Sequence, residues 1–198
     1  YWEKIIISEA VSEENQRWVG FTVAGAAARK AESPLEFVFD LLLQENMQVE
    51  AIYFIMSEKN LLEILSKPYV MIGSDSACRT HYGPLSKGKP HPRAFGTFPR
   101  VLDRFVKSEG VLTLEDAVYK MTGAPAQKLG LKDRGRIREG FKADIVVFDP
   151  RKITDTATYQ NPASYPEGME CVIVNGAITA ENGSHTGIGK GRVLAKGD

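Results

Sequence analysis

Between Val49 and Ser76 a β-prone run, a capped helix and a second apolar run follow one another, and that succession constrains the fold more than any other feature of the chain. Ile52-Tyr53-Phe54-Ile55 carries the first run, within a strand expected over Val49 to Met56. Ser57 is placed to cap a helix from Glu58 to Leu65, with Leu61, Leu62 and Leu65 facing inward. Lys67-Pro68 breaks it, and Tyr69 to Gly73 returns to a strand. Strand, short helix and strand within about two dozen residues is the size of a tight parallel crossover, so the region reads as a βαβ unit of an α/β protein. Its second strand closes on Gly73-Ser74-Asp75-Ser76. That places one carboxylate at the C-terminal end of a buried strand, where catalysis concentrates in α/β folds.

The flanking segments carry equally readable signals. Ile5-Ile6-Ile7, within Lys4 to Ser8, reads as a short strand buried on both faces, and Glu9 to Arg17 as a polar loop. Thr22 to Ala31 is Ala-rich and favours helix. Ser33-Pro34-Leu35-Glu36 then starts a second helix: Ser33 caps, Pro34 suits the first helical position and Glu36 reaches back. Its apolar face is expected at Leu35, Val38, Phe39 and Leu42, and its end near Asn46. Beyond Asp75 a loop rich in Arg, His, Gly and Pro runs through Arg79, His81, Lys87 and Lys89 to His91-Pro92-Arg93. Pro99 suits a first helical position ahead of the stripe Val101, Leu102, Phe105 and Val106, which Gly110 stops. Thr113-Leu114-Glu115-Asp116 resembles a capping box leading Ala117, Val118 and Met121 into a helix, and a last short helix over Pro125 to Leu129 ends at Gly130. From Arg136 the texture changes. Ala143 to Phe148 is an apolar strand, Ile153 to Gly168 a loop, and Glu170 to Val174 and Ala177 to Ala180 flank Asn175-Gly176, the strongest short hairpin signal. The last sixty or so residues therefore read as a small β module appended to an α/β unit.

Composition removes several function classes. The 25 basic and 25 acidic residues among 198 cancel, so nothing in the overall charge draws the chain to nucleic acid or anionic lipid. No stretch approaches the ~20 apolar residues of a membrane helix, and the start lacks the features of a secretory signal. Cys78 and Cys171, far apart, suit a reducing compartment better than a disulfide framework, which points to the cytoplasm. The chain opens on Tyr1-Trp2-Glu3-Lys4 without an initiator Met, as a piece of a longer polypeptide would.

On pattern alone, two readings of Asp75 stay open: a carboxylate that faces a metal and shuttles a proton, or one that accepts N–H bonds from its own turn. His81 and His91 lie ten residues apart, against the two- to four-residue intervals of paired ligands in compact zinc sites. A metal site built only from Asp75, Cys78, His81 and His91 is therefore disfavoured. His91-Pro92-Arg93 fits a substrate clamp, because Arg offers a planar fork to a carboxylate and the preceding Pro stiffens its backbone; the competing reading of Arg93 is an ordinary surface ion pair. Cys78 reads as an inert loop thiol and Cys171 as a strand residue of the core. The run from Gly187 to Gly191 has neither the spacing nor the following helix of a phosphate loop, and His185 is expected in a turn.

Val70 to Asp75, together with Gly88-Lys89-Pro90-His91-Pro92-Arg93-Ala94-Phe95-Gly96-Thr97-Phe98-Pro99-Arg100, resembles the N-acyl-D-amino-acid deacylases of the amidohydrolase superfamily. Lys120 to Ala126 and Gly140 to Pro150 are similar to the stretch where amidohydrolases leave their barrel and enter a β-sandwich, and mark the superfamily more than the enzyme. The resemblance implies the last part of a metal-dependent (β/α)8 barrel with a lid insertion, plus a small β-sandwich. Residues 1–47 would be the lid, 48–135 the C-terminal part of the barrel and 136–198 the β-sandwich. Val49 to Met56 would be the seventh barrel strand and Val70 to Asp75 the eighth. It further implies that Asp75 is the catalytic acid/base and a metal ligand, that Arg93 pairs with the substrate α-carboxylate, that Ser8 lines the pocket, and that zinc is the cofactor of the full-length enzyme.

One departure from the family is large. Its other ligands, a His-x-His pair, a Cys and two further His, lie on earlier strands, and no His precedes His81 here. The chain is thus expected to be the C-terminal part of a deacylase, to hold zinc weakly or not at all by itself, and to have no turnover alone. The competing expectations are a cyclic-amide hydrolase of the dihydroorotase or hydantoinase type, or a non-catalytic domain derived from an amidohydrolase.

Overall fold

The computed structural model describes residues 1–197 and divides them into two compact units. The first comprises Tyr1–Ser57, Ser76–Phe95 and Ala157–Ser164; the second comprises Glu58–Asp75, Gly96–Thr156 and the chain from Tyr165 onward.

In the first unit β1 (Ile5–Ala10) pairs antiparallel with β2 (Val49–Tyr53), from Ile5 opposite Tyr53 to Ala10 opposite Val49, with a register shift between Ile7 and Glu9. Ile5 and Ile7 are buried while Ile6 is only partly so, and around the register shift Ser8 and Ala10 bring the other parity inside. Helices α1 (Val23–Lys30) and α2 (Pro34–Gln44) pack on it. Thr22 Oγ1 accepts from Gly25 N–H and Ala31 closes α1 in the left-handed region at φ 57°. At the start of α2 the capping box forms as the sequence predicts, with Ser33 accepting from Glu36 N–H and Glu36 from Ser33 N–H. The buried face of α2 differs from expectation. Phe37 and Leu41 point inward, whereas Leu35 and Phe39 are 53% and 58% exposed. The helix is apolar around most of its girth, so spacing could not select a face; the Trp18 indole, edge-on to the Phe37 ring at 5.5 Å and 90°, does.

Glu45, which ends α2, fastens the connection after β1. Its carboxylate accepts from the Ser12 hydroxyl, from Val11 and Ser12 N–H at 2.6 and 2.9 Å and from the Asn15 amide at 2.7 Å. These bonds, the Ser12 hydroxyl foremost, hold its carboxyl down at about 2 against the opposing effect of burial. A depressed folded pKa stabilises above the ordinary carboxylate value near 4.5 and is lost as pH falls through about 2. Glu45→Gln is expected to cost on the order of 2 kcal/mol in urea unfolding at pH 7. The variant should also lack the stability that the parent loses between pH ~4.5 and ~2; an unchanged acid dependence would refute the assignment.

In the second unit, α3 (Glu58–Ser66) buries Leu65 and partly Leu62, but Leu61 is 43% exposed against expectation. Tyr69 lies in a turn and residues 70–73 form no strand among the described residues, so the expected parallel βαβ ladder is not formed: β2 takes β1 as its partner and does so antiparallel. A strand exists only through its neighbours, and Ile72 N–H here donates instead to the Lys120 carbonyl. Pro99, expected to open a helix, lies inside one. α4 (Arg93–Arg100) runs without a break into a π-helical stretch, Val101–Ser108, closed by the Glu109 N–H to Arg104 carbonyl bond at 2.8 Å. Proline crowds the carbonyl four residues back and donates nothing, and widening the helix after it relieves the mismatch. Gly96 is also required there: a Cβ would sit 2.8 Å from the Asp155 carboxyl carbon, whose group pairs with Arg100 Nε at 2.6 Å.

Helices α5 (Leu114–Met121), capped by Thr113, and α6 (Gly123–Leu129), closed by Gly130 at φ 72°, follow the sequence signals, although α6 starts two residues before Pro125. The β module is a four-stranded antiparallel sheet in chain order: β3 (Ile145–Phe148), β4 (Met169–Val174), β5 (Ala177–Glu181) and β6 (Ser184–His185). Asn175 and Gly176, at φ 47° and 80°, form the predicted hairpin turn. The Asp144 carboxylate accepts Asn175 N–H at 2.8 Å and pairs with the buried Arg134, which explains the Ala143-Asp144 motif structurally. His185 lies in the short strand β6 instead of a turn, and Cys171 is half-buried in β4.

Candidate active site

Asp75 follows residues 70–74 at the end of a segment of the second unit, exposed and in the left-handed region at φ 47°. Few side chains tolerate that conformation, and Asp is among them.

What holds the segment is Lys120, a structural anchor that the sequence pattern does not single out. Only 3% exposed, its ammonium donates to the Lys67 carbonyl, just past the C-terminal end of α3, and to the Val70 carbonyl at 3.0 Å. Together with the Ile72 bond to its own carbonyl, Lys120 grips both sides of the segment that leads to Asp75. The negative end of the α3 dipole helps to satisfy the buried cation. A signal was present: Lys120 stands three residues after the buried Ala117, on an apolar face where a lysine requires a buried acceptor. Lys120→Met takes the ammonium from both carbonyls and leaves Lys67 only its bond from Val70 N–H at 3.2 Å, and a loss of about 2 kcal/mol in urea unfolding is expected. A loss below about 0.5 kcal/mol would mean that water replaces the ammonium.

In the first unit the loop after Asp75 is fastened to β1 and β2. Lys89 N–H donates to the Ser8 carbonyl at 2.7 Å, and Arg79 donates to the Lys87 carbonyl at 3.0 Å while its Nη2 lies 3.6 Å from both Glu9 and Glu50. Ser8, expected to line a pocket, is only 4% exposed and serves as a loop anchor. Gly88 belongs to this fit, since a Cβ there would meet the Glu9 carboxylate at 2.9 Å. Arg93 is exposed as the first residue of α4. His91 stands before it with both ring nitrogens engaged: Nδ1 accepts Arg93 N–H at 3.0 Å and Nε2 lies 3.1 Å from the Tyr159 hydroxyl. Neither nitrogen is left for a metal.

Cys78 and His81 are exposed. Among the described residues no group of three or more His, Cys, Asp or Glu side chains could hold a metal ion. A single carboxylate supplies one ligand and not a site, so these residues do not by themselves fit a zinc ion. Nor is any described helix long and apolar enough to cross a membrane.

A model of the amidohydrolase family matches residues 10–180. A D-aminoacylase of Alcaligenes xylosoxydans xylosoxydans is 41% identical over 170 residues, 86% of this chain and 33% of its own. A solved D-aminoacylase superposes with a TM-score of 0.83 at 38% identity, over 96% of this chain and 37% of that one. The N-acyl-D-glutamate deacylase of Bordetella bronchiseptica, solved with zinc and a phosphonate that mimics its tetrahedral intermediate, gives 0.78 at 34% identity, over 91% and 36%. A dihydroorotase of Lactobacillus acidophilus is 33% identical over 95 residues, 45% of this chain and 22% of its own. The chain thus spans about a third of the length of the deacylases it matches.

Proposed function

The chain belongs to the amidohydrolase family, and from that premise we propose that it is the C-terminal part of a zinc-dependent hydrolase that cleaves the linear amide of N-acyl-D-amino acids. The observation that carries the proposal is the sequence similarity to D-aminoacylase across 86% of the chain, against 45% for a dihydroorotase. Residues 1–47 form the lid, 48–135 the last part of the barrel and 136–198 the β-sandwich. On this reading Val70 to Asp75 is the eighth barrel strand, and of its two barrel neighbours the first strand lies outside the chain.

Asp75 takes a proton from the attacking water as its oxygen bonds to the amide carbon, and gives that proton to the amine nitrogen as the C–N bond breaks. The products are a carboxylate and a D-amino acid. Arg93 holds the α-carboxylate with two parallel N–H bonds, fixing the amide relative to the attacking water. Zinc bound in the full-length enzyme would lower the pKa of a water to ~7; of the described residues, Asp75 is the one that would ligate it.

The test is turnover by the zinc-loaded full-length parent of N-acetyl-D-leucine, N-acetyl-L-leucine, dihydroorotate and hydantoin. Hydrolysis of the D-enantiomer of the linear substrate is expected, and turnover confined to the cyclic amides would overturn the proposal. The 198-residue chain alone is expected to show no turnover and at most weak zinc binding by calorimetry. Hydrolysis by the isolated chain would contradict the division of ligands.

A further inference from the structure

Resting on the assignment of Arg93 to the substrate carboxylate, we propose that His91 and Tyr159 are positioning residues that set the first turn of α4 and thereby substrate affinity. The start of α4 is wound onto His91. Its ring accepts Arg93 N–H, its carbonyl accepts Ala94 N–H at 3.0 Å, and the Pro92 carbonyl accepts Phe95 N–H at 3.1 Å. The otherwise unpaired N–H groups of the first turn are thus satisfied locally. A ring nitrogen that accepts carries no proton, so the neutral imidazole bears its hydrogen on Nε2 and donates it to the Tyr159 hydroxyl.

Tyr159 fixes that tautomer and the plane of the ring. Its own ring stands edge-on to His91, with centroids 5.1 Å apart and planes at 81°, and packs against Phe54 at 4.6 Å. Pro92, between cap and helix, is fully buried. The aromatic set ties three separate segments to one helix start: the residue after β2, the 157–164 segment and the loop that ends at Arg93. A cap made from an acidic side chain would satisfy the same N–H but would place a negative charge beside the arginine meant for a carboxylate. An imidazole caps without competing for it.

The experiment compares His91→Ala, His91→Asn, Tyr159→Phe and Arg93→Ala in the zinc-loaded full-length parent. Each is assayed on N-acetyl-D-leucine and on its carboxamide, which lacks the carboxylate. For His91→Ala the KM for the acid is expected to rise about tenfold with kcat within about twofold, and the KM for the amide to stay put. His91→Asn, whose side-chain oxygen restores the cap, should return KM to within about threefold of the parent, and Tyr159→Phe should raise it about threefold. A purely structural role would lower thermal stability and leave the KM of folded enzyme unchanged on both substrates. Should His91→Ala fail to fold, His91→Asn and Tyr159→Phe carry the test, and unchanged KM in Tyr159→Phe overturns the proposal. A raised KM in Arg93→Ala beside an unchanged KM in His91→Ala overturns this inference alone. An unchanged KM in Arg93→Ala overturns the reading of Arg93 and this inference with it.

Discussion

In the zinc-loaded full-length parent, Asp75→Asn is expected to lower kcat on N-acetyl-D-leucine by about 10³-fold while KM moves less than about threefold. Asparagine is nearly isosteric, so the left-handed turn at φ 47° survives, but its amide neither accepts the proton of water nor returns one to the departing nitrogen. The loss falls on the chemical step because the group acts in the transition state and not in holding substrate. Zinc content, measured alongside, separates loss of a proton carrier from loss of a ligand. A variant with full zinc and kcat within about tenfold of the parent would remove Asp75 from proton transfer.

Arg93→Ala should act on the other kinetic constant. Removing a charge-assisted pair to the substrate carboxylate is expected to raise KM about 30- to 100-fold on N-acetyl-D-leucine, with little effect on its carboxamide. Arg93→Lys should recover only part of the loss, because an ammonium keeps the charge but not the fork. Equal effects on acid and amide would mean that Arg93 supports the loop and not the substrate.

The local signals in the sequence were read correctly where a single turn of chain decides the outcome. The Ser33 capping box, the Thr113 cap, the stop at Gly130 and the Asn175-Gly176 hairpin all depend on residues within a few positions of one another. Pro99 was misplaced because proline's suitability for a first helical position says nothing about whether a helix upstream can widen to absorb it. The widened stretch carries the buried Val101, Leu102 and Phe105, and burial is a tertiary fact.

For the candidate site, the sequence by itself determined which residue types are on hand: a carboxylate closing an apolar run at Asp75, a forked cation at Arg93, and no histidine before His81. Covalent order and side-chain chemistry suffice for that. Only the tertiary structure decided how those groups are held, through the Lys120 ammonium bridging the Lys67 and Val70 carbonyls, the Tyr159 hydroxyl on His91 and the Trp18 ring selecting Phe37 as the buried face of α2. Each of those contacts joins residues from 19 to 68 positions apart or selects among equally apolar faces, and such choices are made by what excludes water in the folded chain.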